Sequence, residues 1–324
     1  MTSLAPPIAQ PRDAPQATEN RAAAPRDLEL RLRPARGPLT QVVWFIRRKP
    51  LGAFGGLLVL VLLVAALFAG QIAPYAYDAG QGADRLQGPS LRHVLGTDNL
   101  GRDMFSRVIW GARISVTVGF GAVVIGTGLA TVLGIVSGYF GGTFDLLLQR
   151  VLDVWISFPP IVLLVTIVTI FSTRNTSPTA SIAIVAISLG VIVVGGSSRI
   201  VRSAVIAIRN MPYMEAARCM GCGHLRIIRR YVLPNVFAPI LILATVQLGG
   251  AILAESTLSF LGFGVKPPMP AWGSMLSGNG RQYFLMAPGL AIWPGVAISL
   301  AVFGFNMLGD ALRDVLDPRL RGSR

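Results

Sequence analysis

The chain's two cysteines, Cys219 and Cys222, stand as C-x-x-C in "EAARCMGCGH", with His224 two residues further on. Thiolate and imidazole at that spacing are the ligands of a zinc site or the working pair of a thiol–disulfide couple. A structural zinc site wants four such ligands, and the only remaining histidine, His93, lies in a distant segment. The redox form of the motif expects a βαβ setting, which the surrounding sequence does not supply. Neither use is expected, and no metal is assigned. Other chemistry fails on inventory. There is no H-E-x-x-H and no G-x-S-x-G, and Asp98 and Asp103 have no nucleophile or base to work with. Lys49 and Lys266 are the only lysines and neither follows a glycine, so no G-x-x-x-x-G-K-[ST] phosphate loop exists. Catalysis by this chain is not expected.

Composition says which solvent the elements must be built for. Hydrophobic residues make up 52% of the 324, charged residues only 14%, and the mean hydropathy is +0.60, which suits a bilayer better than water. A net charge of +14 would suit nucleic acid only if the 29 basic residues gathered on one solvated face. They punctuate apolar runs instead, so no nucleic-acid partner is expected. A bilayer core of about 30 Å takes roughly 20 apolar residues per helix, because backbone groups inside it must pair with one another. Six charge-free windows meet that length: 50–77, 114–144, 154–173, 175–198, 231–254 and 282–309. The reading is an all-α membrane protein with six transmembrane helices in contact with the lipid bilayer. Pro159 and Pro160 predict a kink in the third window. The glycines of 119–128 predict close helix packing.

Arginine and lysine in short loops set the orientation. Arg47, Arg48 and Lys49 precede the first window; Arg199, Arg202, Arg209, Arg218, Arg226, Arg229 and Arg230 separate the fourth from the fifth; Arg313, Arg319, Arg321 and Arg324 follow the sixth. Those sides read as cytoplasmic, with both termini. The first 40 residues, rich in Pro, Ala and Arg, read as a disordered tail. The apolar stretch after "RRKP" is too long for a twin-arginine signal and reads as an uncleaved signal anchor.

The long, arginine-rich connection at 199–230 is where function is expected. Asn210 is placed to cap a short helix starting at Met211 with Pro212 in its first turn, and Gly221 to end it in a left-handed conformation. A second short helix is expected over 223–232, until Leu233 and Pro234 lead into the fifth window. A helix this short is marginal in water, so it must pack on something.

These residues carry a resemblance. "EAARCMG", followed after nine residues by "YVLP", resembles the EAA loop of binding-protein-dependent ABC importer permeases: Glu215, Ala216, Ala217, Gly221, Leu233 and Pro234 match in register, with Tyr231 where the pattern has isoleucine. "HVLGTDNLGRDMFSRVIWGARISV" (93–116), "GGTFDLLLQRVLDVWISFPP" (141–160) and "AILAESTLSFLGFG" (251–264) narrow it to the C-type permease subunit of dipeptide, oligopeptide and nickel importers.

The resemblance implies a type I importer permease (MetI-like) fold, a second homologous permease forming a heterodimer, two cytoplasmic ABC ATPases and an external solute-binding protein. It implies no cofactor on this chain, with ATP and Mg at the partner ATPase. It divides the chain into a cytoplasmic tail at 1–45, a first transmembrane helix and external loop at 46–110, a five-helix core at 111–316 with the coupling loop at 203–235, and a cytoplasmic tail at 317–324. The E-A-A segment would seat in a groove of the ATPase, Ala216 and Ala217 keeping one face low, Glu215 offering charge and Gly221 permitting the turn. Cys219 and Cys222 then stand where the family has small residues.

Other polar residues keep open readings. Asp145, Arg150 and Asp153 are placed to pair with loop arginines or to be plain interface charges. Glu255 is placed to line a path, dock the partner permease or reach the outer interface. Arg150 and Asp153 share its pathway or subunit-interface reading. Gln247, Ser299 and Asn306 suit interhelical hydrogen bonds. For the segments 93–107 and 264–276 the resemblance implies contact with the partner permease or the binding protein. Six spans alone would also fit a secondary transporter or channel, but such proteins couple through ionisable residues near the midplane, and the window centres hold none.

Overall fold

The computed structural model of the chain describes residues 43, 45–80, 82–173 and 175–316; of the tails read at 1–45 and 317–324, only residues 43 and 45 are described. The chain divides into two units between Arg47 and Arg48, and the second carries every helix named below. In order these are α1 Pro50–Leu67, α2 Ala69–Ile72, α3 Met104–Phe140, α4 Gly142–Ser157, α5 Pro160–Phe171, α6 Pro178–Arg209, α7 Pro212–Cys219, α8 His224–Ile227, α9 Leu233–Phe260, α10 Trp272–Met275 and α11 Gly289–Leu316. Among the described residues there is no strand beyond two isolated bridges, Gly80 with Arg102 and Thr97 with Asp103.

By length and composition α1, α3, α6, α11 and the continuous segment His224–Phe260 can each cross a membrane. A sixth span is formed only by α4 and α5 taken together, and they meet at 88°, a corner where the sequence predicted a kink. Phe158 is extended, with ψ at 136°, and Pro159 follows at 124°. Each precedes a proline whose ring disfavours helical backbone in the residue before it. Two such residues in succession turn the chain rather than bend it.

Charge marks the edge of the bilayer core, whereas helix ends obey local chemistry. The fourth window stops at Arg199, yet α6 runs on to Arg209, because nothing before the extended Met211 at Met211–Pro212 interrupts it. Its start is set by Ser177, whose hydroxyl accepts from the Ala180 amide at 3.2 Å, with Pro178 in the first turn. Likewise α3 begins ten residues before its window, where the Asp103 carboxylate accepts from the Ser106 amide at 2.7 Å. The boundary read at 110–111 therefore falls inside α3. In the first window α1 stops at Leu67, and in the sixth α11 starts only after Pro288.

Glycine determines how closely the helices pack. A Cβ at Gly134 would lie 2.7 Å from the Ser198 carbonyl oxygen and from Val201 Cβ; at Gly126 it would meet Val193 at 2.6 Å and the Gly190 carbonyl at 2.7 Å. Gly138 against Val205 at 2.9 Å, and Gly190 against the Ala122 carbonyl at 2.8 Å, continue the stripe. Backbone thus touches backbone along α3 and α6, which is how helices associate where apolar burial alone gives no preference. Gly134→Ala is expected to destabilise the fold by about 1–2 kcal/mol, lowering the unfolding temperature in detergent; an unchanged midpoint would refute the close packing. On the other side α1 lies along α11, Gly55 against Gly304 and Met307, and Lys49 pairs with Asp314 at 2.5 Å. The start of α1 and the end of α11 therefore share one side.

Candidate functional site

The connection between α6 and α9 is built as a folded unit. Asn210 closes α6, Met211 is extended, and Pro212 opens α7 at its first position. The expected Asn210 cap is corrected: the N-cap residue is Met211 and no side chain caps α7. Proline there removes one amide that would have needed a partner. The other end behaves as the sequence predicted. Gly221 has φ +74°, its amide donates to the Arg218 carbonyl at 2.9 Å, and the Cys222 amide donates to the Ala217 carbonyl at 3.1 Å. This paired pattern satisfies the last carbonyls of the helix and requires a left-handed residue.

What holds so short a helix is burial. Met214 and Ala217, three residues apart on one face, are fully inaccessible in a cluster with Ile135 and Tyr139 of α3, Val201 and Val205 of α6, and Ile227, Val232 and Val236. Ala217 therefore faces its own chain, which corrects the expectation that both alanines form the low outer face. Glu215 and Ala216 are exposed, beside Tyr213 and Arg218. Met220 at 70% and Leu225 at 68% exposure add bare apolar surface among arginines. Among the described residues Glu215 has no ion pair or hydrogen bond through its side chain.

Past the turn, α8 leads through a wide turn at Ile228–Val232 directly into α9, so the expected separate helix is one piece with the fifth span. Pro234 has no amide and its ring crowds the carbonyl four residues back, that of Arg230. A turn spaced at five residues relieves the crowding without breaking the rod. Leu233 and Pro234 are exposed on it. His224 Nδ1 lies 3.0 Å from the Tyr139 hydroxyl and its ring packs on Phe140, tying the start of this rod to the end of α3. Cys219 is exposed and Cys222 half-buried at the rim of the cluster, both as free thiols. Among the described residues no three of His, Cys, Asp and Glu gather as ligands would.

Beside this unit, Arg202 donates to Asp145 through Nε at 2.7 Å and Nη2 at 2.5 Å, and Arg199 pairs with Asp153. Arg150 stands 3.6 Å from Asp153. Ser137 also donates to Asp145, so α3, α4 and α6 share one carboxylate. Asp145 and Asp153 thus pair with arginines that the charge pattern had assigned to the loop, while Arg150 stays exposed beside Asp153.

Comparison with known proteins decides what this architecture is. The family model described as binding-protein-dependent transport system inner membrane component matches residues 130–322, and that of the N-terminal transmembrane domain of oligopeptide transport permease C matches 37–89. The chain belongs to the inner-membrane permease family of binding-protein-dependent transport systems. The permease is similar to a dipeptide transport system permease protein of Alkalihalophilus pseudofirmus, 40% identical over 276 residues, covering 85% of this chain and 88% of the relative. It is 38% identical over 275 residues to a glutathione transport system permease protein of Pectobacterium atrosepticum, covering 85% and 89%. A glutathione transport system permease protein of Escherichia coli is 39% identical over 277 residues, with the same coverage. The permease is thus a transmembrane subunit of an ABC importer and not an enzyme.

Three expectations about the rest of the permease change. Glu255 is wholly buried, accepting from Ser259 Oγ at 2.7 Å, Ser115 Oγ at 3.3 Å and Ser256 Oγ at 3.4 Å, so in this conformation it reaches neither a path nor a partner nor the outer interface. The missed signal was the serine at i+4 on its own helix. Segment 264–276, read as a contact for partners, packs in part on its own chain: Val265, Ala271, Trp272 and Met275 are buried, and Trp272 Nε1 donates to the Val108 carbonyl at 2.9 Å. Ser299 bonds within its own helix to Gly295, while Gln247 does join helices, to Thr127 and Ser197. The segment before α3 is folded: Asp98 accepts from the amides of Leu100 and Arg102 at 2.8 and 2.9 Å and from Arg102 Nε at 2.7 Å, with Arg107 at 3.7 Å.

Proposed function

We propose that this permease pairs with a second, similar permease to enclose a path for small peptides, driven by two cytoplasmic ATPases that hold ATP and Mg, and fed by an external binding protein. Glu215, Ala216 and the neighbouring Met220 form the face that meets the ATPase. The observation that carries this reading is the seating of α7: one face is anchored by Met214 and Ala217, and the opposite face leaves Glu215 unpaired among the described residues, beside bare apolar surface. Large exposed apolar side chains in a water-facing loop mark a partner's position. Closure of the ATPase pair pushes α7. Because α7 shares a cluster with the rod His224–Phe260, the push tilts that rod and switches access from one side of the membrane to the other.

Orientation belongs to the same proposal, with both termini and α7 in the cytoplasm. Its support is the arginine distribution together with the Lys49–Asp314 pair, which an even number of spans requires. Peptide cargo is supported by the dipeptide and glutathione transport named for the relatives.

Purification of the chain from its own host in mild detergent tests the assembly. A P-loop ATPase and a second permease are expected to co-purify. A chain that purifies alone and conducts solutes without ATP would overturn the reading in favour of a channel or secondary transporter.

A further inference from the structure

The corner between α4 and α5 leaves a half-open cavity. It lies against α6 and α9, has a volume of about 440 Å³, and is lined by Trp155 and Phe158 at the corner, Leu163 of α5, Gly196 and Ser197 of α6, and Gln247 of α9. Gln247 lies midway along α9, and Ser197 stands two residues before Arg199, so the cavity sits near the edge of the bilayer core that Arg199 marks.

The lining is apolar except for one corner. None of the lining residues is charged. Gln247 Nε2 donates to Ser197 Oγ at 2.5 Å, and its Oε1 accepts from Thr127 Oγ1 at 3.2 Å. A carboxamide has two N–H donors and two acceptor lone pairs, so Gln247 keeps one of each, and the Ser197 hydroxyl keeps its proton for another acceptor. A lipid chain has no use for those groups. A peptide group flanked by an apolar side chain uses both parts of the cavity. Size agrees: a cavity of about 150 Å³ holds a benzene ring, so this one has room for an aromatic side chain and its peptide unit.

We propose that this corner cavity is a cargo subsite, in which an apolar side chain of the peptide enters between Trp155, Phe158 and Leu163 while Gln247 and Ser197 hold the adjacent peptide group. The proposal rests on the peptide-importer reading above.

Gly196 provides the test, because a Cβ built there meets nothing within 4 Å. A side chain at 196 fills the cavity without displacing the fold, unlike one at Gly195, which would strike Ile156 at 2.7 Å. The complete transporter, with its binding protein unaltered so that capture is constant, would be assayed in proteoliposomes for ATP-driven uptake of diphenylalanine and glycylglycine. Gly196→Leu is expected to lower the diphenylalanine-to-glycylglycine uptake ratio at least tenfold, and Gly196→Ala, which adds a single methyl to the cavity, to lower it by a smaller factor. An unchanged ratio in both variants overturns the subsite, whether uptake as a whole is retained or falls equally for both peptides as it would if a side chain of the second permease filled the cavity. A wild-type transporter that moves neither peptide removes the peptide cargo itself, a result separable from the first.

Discussion

A transporter carrying Glu215→Lys with Gly221→Val is expected to lose ATP-driven uptake by about thirty-fold or more, while the chain still reaches the membrane. Glu215 is exposed on α7 and, among the described residues, has no side-chain hydrogen bond or ion pair, and reversing it adds a cation to a short helix that already carries Arg218. Removing one side of a charge contact and opposing the other costs about 2 kcal/mol or more at an interface, which is that thirty-fold. Valine at Gly221 acts differently. The position has φ +74°, where a β-branched side chain is strained, yet its Cβ meets no neighbour. The strain falls on the turn that ends α7 and leaves the membrane helices alone. Uptake should be compared with the amount of ATPase that co-purifies. Undiminished uptake would move the coupling contact elsewhere, and loss of the chain from the membrane would make these residues structural.

Asp98→Ala is expected to destabilise the permease by about 3–5 kcal/mol, seen as a large drop in unfolding temperature in detergent. The Asp98 carboxylate is buried and holds two loop amides, the Arg102 guanidinium and, more distantly, Arg107. Its removal leaves two largely buried cations facing each other without the charge between them. A midpoint unchanged within a degree or two would show that the segment before α3 contributes nothing to the fold of that helix.

The spans were legible because the bilayer imposes one rule everywhere: charge stays out of its core. The helix ends were not, because they obey residues such as Asp103, Ser177 and Pro212 that hydropathy does not weigh. The prolines at 159 and 160 announced a break but not its angle, because only the structure shows that Phe158 and Pro159 are both extended and so turn the arms by 88°. In the loop, Gly221 was readable from its type, whereas the inward turn of Ala217 was hidden by the E-A-A pattern; only its spacing of three from Met214 betrays it. Glu255 misled for the opposite reason. A carboxylate beside a window edge looks interfacial until Ser115, brought over from α3, closes around it.

The backbone contacts along α3 and α6 have a genetic consequence. Every missense change of a glycine codon adds a Cβ. At codons 126, 134, 138 and 190 each such allele places that atom within 3 Å of the neighbouring helix, so none is neutral. At codons 128 and 250 the added atom meets nothing. Inherited variation at this chain's glycines is therefore sorted by which helix face they occupy, and a population survey of alleles would trace the α3–α6 seam without any structure in hand.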